Sequence, residues 1–377
     1  MAIIHNLQAL RAAAAALVVA HHLRGVLGHQ WPSVHSIQIG AAGVDIFFVL
    51  SGVVIALSEA RRRPDFKGFV MRRTFRVVPA YWAIITVTGL MLLAGLSPVG
   101  IHGADGTLLN WFKSMAFIPF ERSHGPMMPL LGVGWTLNYE MFFYAMFALL
   151  IWVPKPSRSW VLVLAILFLV GGGQLVQPQN LLAQFYTNPI LIEFAVGVLI
   201  AQWWINSSAS DWDRWTGFGL LGLGAGIFIL GAQPEYFEQL MPMRVIQFGV
   251  PATMIVMGAM LCERSHAQLS GRVWATLGAS SYAVYLSHSM VLQIVEKLAQ
   301  AGGILLDSMG AVLAVALAGL VISHLAGLFL YVRFEKPVTK FLTRQVARQA
   351  QIKAVDRGEK IVLHPSCEKQ PSFCSYR

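Results

Sequence analysis

Arg11 and His22 lie in one apolar stretch, Leu7 to Leu27, which reads R-AAAAALVVAH-H from the arginine onward. A guanidinium and a titratable base inside a hydrocarbon-length segment are costly to keep there, so both are functional candidates by default. Eleven helical steps of ~100° bring the two side chains to within ~20° of each other around the helix, and raise one above the other by about 16 Å. They share one face and are separated by roughly half the thickness of a bilayer's hydrocarbon core. His21 points ~100° away, so His22 is the member of the doublet in register with Arg11. A base and a cation spaced this way suit a proton abstraction at one depth and an anion grip at another.

Other spans carry polar groups that could serve the same chemistry. Asp45, in GVDIFFVLSG, and Glu140, in WTLNYEMFFY, are placed by topology at a depth similar to that of His22. A carboxylate beside a histidine orients the imidazole and stabilises its protonated form, the usual equipment of a general base. The bland alternative is a hydrogen bond between packed helices. His288, in SSYAVYLSHSM, is open to both readings, and His324 is read as packing. Glu335, in FEKP, is placed to pair with a loop arginine, and His29, His35, His102 and His124 fall in external loops. In MRRTFRVVPAYW, Arg73 and Arg76 form an R-x-x-R pair with Arg72 beside it. Positive-inside anchoring accounts for any basic loop but not for Arg11, a further cation set into the span above. Several guanidinium groups converging there suit a polyanion, because guanidinium grips phosphate bidentately. No Walker A loop or dinucleotide glycine fingerprint is present, so a nucleotide has to be held by side chains.

The elements that must position these residues follow from composition. Of 377 residues, 56% are hydrophobic and 12% charged, about half the charged share of a soluble domain, which identifies an all-α polytopic membrane protein. Ten apolar segments are long enough to span, at about 7–27, 40–60, 79–97, 134–153, 160–177, 186–206, 216–232, 243–262, 274–299 and 310–332. If the arginine-rich stretch 61–76 is cytoplasmic, then the alternate connections and the chain from Arg333 onward are too, which puts 22 of the 28 Lys and Arg residues inside. That asymmetry fits the positive-inside rule with both termini cytoplasmic, so the net charge of +10 is no sign of nucleic-acid binding. The first span lacks the build of a cleaved signal peptide and is read as retained. Residues 98–133 are the longest external connection and are expected to be interfacial, re-entrant or lid-like. Residues 1–336 are read as one membrane domain and 337–377 as a basic cytoplasmic tail with little fixed structure. Cys262, Cys367 and Cys374 form neither a disulfide framework nor a metal motif, and no metal is expected.

Together these motifs resemble the bacterial membrane acyltransferase family 3, whose members O-acylate exported polysaccharides, O-antigens, peptidoglycan and related acceptors. The likeness is carried by LQALRAAAAALVVAHH with its R-x10-H, GVDIFFVLSG, the R-x-x-R stretch, WTLNYEMFFY, SYAVYLSH and FEKP, which together cover about residues 5–337. Within the family the chain looks most like the exopolysaccharide-production branch. The resemblance implies acetyl-CoA or another acyl-CoA as donor, and a requirement for Arg11, His22, Arg73 and Arg76, with Glu140 at a recurrent acidic position. It implies a saccharide or lipid-linked saccharide acceptor and residence in the bacterial inner membrane.

On that footing His22 is expected to act as base, with Glu140 and Asp45 orienting or charge-balancing it. Arg11, Arg72, Arg73 and Arg76 are expected on the donor, and Trp135 and His288 on the acceptor. Direct attack on the thioester and a covalent acyl-enzyme both remain open. Rival readings are a transporter or flippase, which also uses intramembrane His, Arg and carboxylates, and a non-catalytic sensor or scaffold. The acceptor sugar, the acyl group and the oligomeric state are not legible in the sequence.

Overall fold

A computed structural model describes residues 4–27, 39–60, 62, 64–94, 105–123, 127–231, 244–302 and 308–356. Among the described residues there is no β-strand. The helices are α1 (His5–Leu27), α2 (Ala42–Ala60), α3 (Phe66–Leu93), α4 (Leu108–Met115), α5 (Trp135–Leu149), α6 (Lys155–Val176) and α7 (Leu181–Tyr186). They continue as α8 (Leu191–Asn206), α9 (Asp213–Gly231), α10 (Val250–Arg264), α11 (Arg272–Ala301), α12 (Met309–Leu330) and α13 (Lys336–Asp356). Single π-helical turns, Val245–Gly249 and Tyr331–Glu335, lead into α10 and α13.

The described residues of each of the ten apolar segments include helix, and six helical segments are long and apolar enough to cross a membrane by length and composition. Those six do not include α1, whose apolar run is interrupted by Arg11 and the histidines, or α5, which has 15 residues. Three boundaries differ from expectation. The third helix starts at Phe66, not near 79, because Asp65 caps it by accepting a hydrogen bond from the Gly68 amide at 2.9 Å. Arg72, Arg73 and Arg76 are therefore helical residues, not loop residues. The expected span 186–206 is broken at 187–190, where Pro189 lacks the amide hydrogen needed to continue a helix. Finally, residues 337–356, expected to be unstructured, continue as α13, and Thr339 ties its start to the Phe75 carbonyl at 3.2 Å; residues 357–377 lie outside the described part.

α1 lies at the centre of the bundle, packed against α2, α10, α11 and α12. Its inward positions are small: Ala12, Ala14, Ala15, Val18 and Val19 are buried. The α2–α8 crossing is closer still. A Cβ on Gly52 would fall 2.2 Å from the Phe194 carbonyl, and one on Gly197 would fall 2.1 Å from that of Val49, so only glycine allows the two backbones to approach this far.

The connections sort to two ends. At one end, the amides of His5 and Asn6 donate to the Glu263 carboxylate at 3.0 and 2.8 Å, and Asn6 accepts from the Leu269 amide at 2.8 Å. There too Arg264 donates to Asp213 at 2.6 Å. The N-terminus and the connections before α9 and α11 thus meet. At the other end, the Tyr186 hydroxyl donates to the Phe117 carbonyl at 3.4 Å, joining the 105–133 segment to the α6–α8 connection. Within that segment α4 is a two-turn helix with Leu108, Leu109 and Phe112 exposed.

Candidate active site

Five helices converge on a cleft of about 800 Å³, a figure that includes the solvent at its mouth. Arg11 comes from α1, Ser51 from α2, Arg73 and Arg76 from α3, Glu140 and Tyr144 from α5, and Tyr282 and Tyr285 from α11. The spacing explains the selection. Arg73 and Arg76 are three apart and share a face of α3, while Arg72 points ~100° away. Thr136, Glu140 and Tyr144 are four apart and form a stripe on α5, again facing the cleft.

Side chains within the cleft hold one another. Glu140 accepts from the Ser51 hydroxyl at 3.3 Å and from the Tyr144 hydroxyl. Arg73 donates to the Ser58 hydroxyl, and its guanidinium lies 5.7 Å from the ring centres of both Phe69 and Tyr144. No hydrogen bond or ion pair holds Arg11 or Arg76 among the described residues, so both offer full donor sets to whatever enters. Arg72, expected in this group, is instead paired with Glu59 at 3.1 Å and lies 3.9 Å from Asp65, outside the cleft lining.

The cleft ends at Tyr285, whose hydroxyl donates to the Val133 carbonyl at 2.8 Å and meets the Thr136 hydroxyl at 2.6 Å. Its ring centre lies 6.0 Å from that of Phe47 and 5.9 Å from that of His288. Immediately beyond, His288 is fully buried, and its Nε2 lies 3.3 Å from Nδ1 of His22. Backbone carbonyls fix both tautomers. His22 Nδ1 lies 2.9 Å from the Val18 carbonyl, and His288 Nδ1 lies 3.2 Å from that of Val284. A carbonyl can only accept, so each Nδ1 carries the hydrogen and each Nε2 keeps a lone pair. The one Nδ1 hydrogen of His22 is therefore shared between the Val18 carbonyl and the Nε2 lone pair of His288, the latter being the longer branch. His22, which is exposed, keeps its own Nε2 as a free base. His21 is distinguished from it: its Nε2 meets Nη2 of Arg24 at 3.0 Å, and arginine can only donate.

The structure does not bring either carboxylate to His22. Glu140 sits with the arginines, and Asp45, fully buried, accepts from Arg244 at 2.7 Å. An expectation of similar depth on three helices does not fix the rotation of each. Trp135 also lies outside the cleft, because five helical steps from Glu140 turn it ~140° around α5. It packs on Phe48 and Tyr139, with the Arg244 guanidinium 6.0 Å from its ring. His288 is found beside the base, not on a separate acceptor surface. Tyr282 and Tyr285, three apart in SSYAVYLSH, were legible as one helix face but were not singled out. Among the described residues no three His, Cys, Asp or Glu side chains converge as metal ligands.

A helical membrane protein in which an arginine-lined cleft runs up to a histidine pair has the layout of an enzyme that draws an anionic donor toward a base. Residues 4–328 match the acyltransferase domain that defines acyltransferase family 3, and the chain belongs to that family. It is similar to the exopolysaccharide production protein ExoZ of Rhizobium meliloti, 31% identical over 81% of this chain and 92% of that one. It is also similar to nodulation protein 10 of Rhizobium leguminosarum (25% identical, 88% of this chain and 90% of that one). The peptidoglycan O-acetyltransferase OatA of Listeria monocytogenes is 27% identical over 43% of this chain and 27% of its own. No solved structure matches. The protein is a membrane acyltransferase that moves groups other than aminoacyl groups.

Proposed function

We propose that this enzyme transfers an acyl group, acetyl in the first instance, from cytoplasmic acyl-CoA to a hydroxyl of an extracytoplasmic or lipid-linked saccharide at the bacterial inner membrane. The observation that carries the reading is the single cleft lined by Arg11, Arg73 and Arg76 that stops at Tyr285, against the His22–His288 pair. Guanidinium groups at its mouth suit the donor's phosphates, and the extended arm of the donor suits the path to the histidines. The name of the exopolysaccharide production relative supports a saccharide acceptor, and that of the O-acetyltransferase relative supports acetyl as the group.

In the proposed reaction His22 Nε2 takes the proton of the acceptor hydroxyl as its oxygen attacks the thioester carbonyl. The C–S bond breaks, and the leaving thiolate recovers that proton from His22. His288 accepts the hydrogen bond from His22 Nδ1 and so stabilises the transient imidazolium, the part expected of a carboxylate. Glu140 balances the charge of Arg11 and Arg73 in the cleft, Arg72 braces the start of α3 through Glu59, and Asp45 anchors Arg244. The test is mass spectrometry of surface polysaccharide from cells with and without the gene, joined to transfer of radiolabelled acetyl from acetyl-CoA in isolated membranes. Loss of one acyl substituent together with His22-dependent transfer is expected. Unchanged polysaccharide and no transfer would discard the reading.

A further inference from the structure

The end of the bundle opposite the arginine cluster carries two adjoining depressions that the reaction above does not use. One, of about 620 Å³, lies between the end of α6 and the α7–α8 turn and is lined by Gln174, Gln177, Gln184 and Asn188. The other, of about 980 Å³, lies between α7 and residues 110–121 with Met127, and Gln179 lines both. The chain between Ser159 and Ile192 holds no charged residue, yet its outer turn concentrates glutamine and asparagine.

Several of these amides are fixed in orientation by the fold. Asn180 caps α7, its oxygen accepting from the Leu182 and Ala183 amides at 3.0 and 3.1 Å, so its NH₂ is left to donate outward. Asn188 is held the same way by the Ile190 amide at 3.0 Å. Gln184 is held in the opposite sense, its NH₂ donating to the Pro178 carbonyl at 2.8 Å, which leaves its oxygen to accept. The second depression adds an apolar floor, Phe120, Met127 and Leu181, and one charge of each sign, Lys113 and Glu121. Preset donors and acceptors beside an apolar floor, with no net charge, match the hydroxyls and C–H faces of an uncharged sugar. A single cation, Lys113, matched by Glu121, makes a poor grip for a phosphate or other anion.

We propose that this amide-lined groove is a distal saccharide subsite that holds a neutral stretch of the acceptor chain away from the sugar being acylated. The proposal rests on the saccharide-acceptor reading. It predicts that the groove matters only for acceptors long enough to reach both places.

The probe is the cell's own surface polysaccharide, deacylated and cut into oligosaccharides of graded length, offered to the full-length protein in lipid nanodiscs. Direct binding and acyl transfer are measured side by side. Gln174→Leu/Gln179→Leu removes hydrogen-bonding groups at constant bulk, and Gln179→Trp independently fills the shared rim. Both variants should weaken binding of the longest oligosaccharides about tenfold and raise their KM to match. Transfer to the shortest acceptor and the KM for acyl-CoA should stay unchanged. Variants that bind and modify every length as the parent does would overturn the subsite and leave the reaction standing. So would binding that tracks nanodisc lipid headgroups and not saccharide length. A parent protein that binds long oligosaccharides through these glutamines but transfers nothing would overturn the acceptor reaction and leave the groove standing. A parent with no measurable oligosaccharide affinity would remove the groove.

Discussion

Replacing His288 by alanine separates a catalytic histidine pair from two helix residues that happen to touch. His288 Nε2 lies 3.3 Å from His22 Nδ1, and the carbonyls of Val18 and Val284 set both rings so that the contact is lone pair to N–H. In the resting state this is a weak hydrogen bond between neutral rings. When His22 takes the acceptor's proton, the same contact becomes a hydrogen bond from an imidazolium, worth about 1.5–3 kcal/mol. With 1.36 kcal/mol per tenfold of rate, His288→Ala should lower kcat roughly ten- to 150-fold, and the long contact favours the low end. The KM for acyl-CoA should not change, because His288 lies beyond Tyr285 and outside the cleft lining. His288→Gln, whose amide oxygen can accept the same bond, should recover part of the loss. His22→Ala should cost more, about 10²–10⁴-fold, the usual worth of a general base. The assay is steady-state acetyl transfer from labelled acetyl-CoA by purified enzyme at matched folded protein. An alanine variant with parental kcat, or one whose entire defect lies in donor KM, would refute the assignment of His288 to the base.

The cleft separates neighbouring arginines. Arg73→Ala should raise the KM for acyl-CoA roughly tenfold or more, the worth of one charge-assisted hydrogen bond, whereas Arg72→Ala, removing a cation already paired with Glu59, should raise it less than about threefold; equal effects in the kinetic assay would contradict the placement. Glu140→Gln should reduce kcat/KM for acyl-CoA by about tenfold through misplaced Arg73 and Tyr144, with His22-dependent chemistry otherwise intact; an effect as deep as that of His22→Ala would return Glu140 to the base. Gly197→Ala should destabilise the fold by about 1–3 kcal/mol or more by forcing α2 and α8 apart, while Gly219→Ala, which meets nothing within 4 Å, should be neutral in detergent thermal unfolding.

Much of this site was legible because helical periodicity is carried by sequence alone. Arg11 and His22 are on one helix, and so are Arg73 and Arg76, so their relative directions follow from residue number. The alternation of basic connections likewise grouped the N-terminus with the connections at Asp213 and Glu263, which do meet. What depends on the rotation of one helix against another was not legible. Which partner Asp45 and Glu140 each meet is decided by helix packing: Asp45 meets Arg244, and Glu140 meets Ser51 and Tyr144. The start of α3 was misplaced because a basic, polar first turn looks like a loop to a hydropathy reading, although Asp65 caps it as a helix. The same bias toward apolarity hid α13.

The electrostatics of the cleft bear on what occupies it. Cations that merely anchor a membrane protein sit at the surface, where water solvates them and their contribution is small. Here three guanidinium groups share a cleft with one carboxylate, Glu140. Arg73 is wedged between the Phe69 and Tyr144 rings, and its Nε has no partner among the described residues. Glu335 is buried nearby at the end of the π-helical turn, close enough for its charge to act on Arg11 and Arg76, but it makes no ion pair with either within 4.0 Å. Like charges gathered in one cleft without full compensation are unfavourable for folding, with Arg11 and Arg73 half-buried and Arg76 exposed, so a sequence selected for stability alone would not assemble them from α1 and α3. The excess is relieved when an anion with several acceptor oxygens enters. Its phosphates would neutralise the arginines, while the uncharged remainder extends along Phe47, Phe48 and Leu137 toward Tyr285. An acyl-CoA divides its charge and its reactive end in that way, and a simple inorganic anion does not.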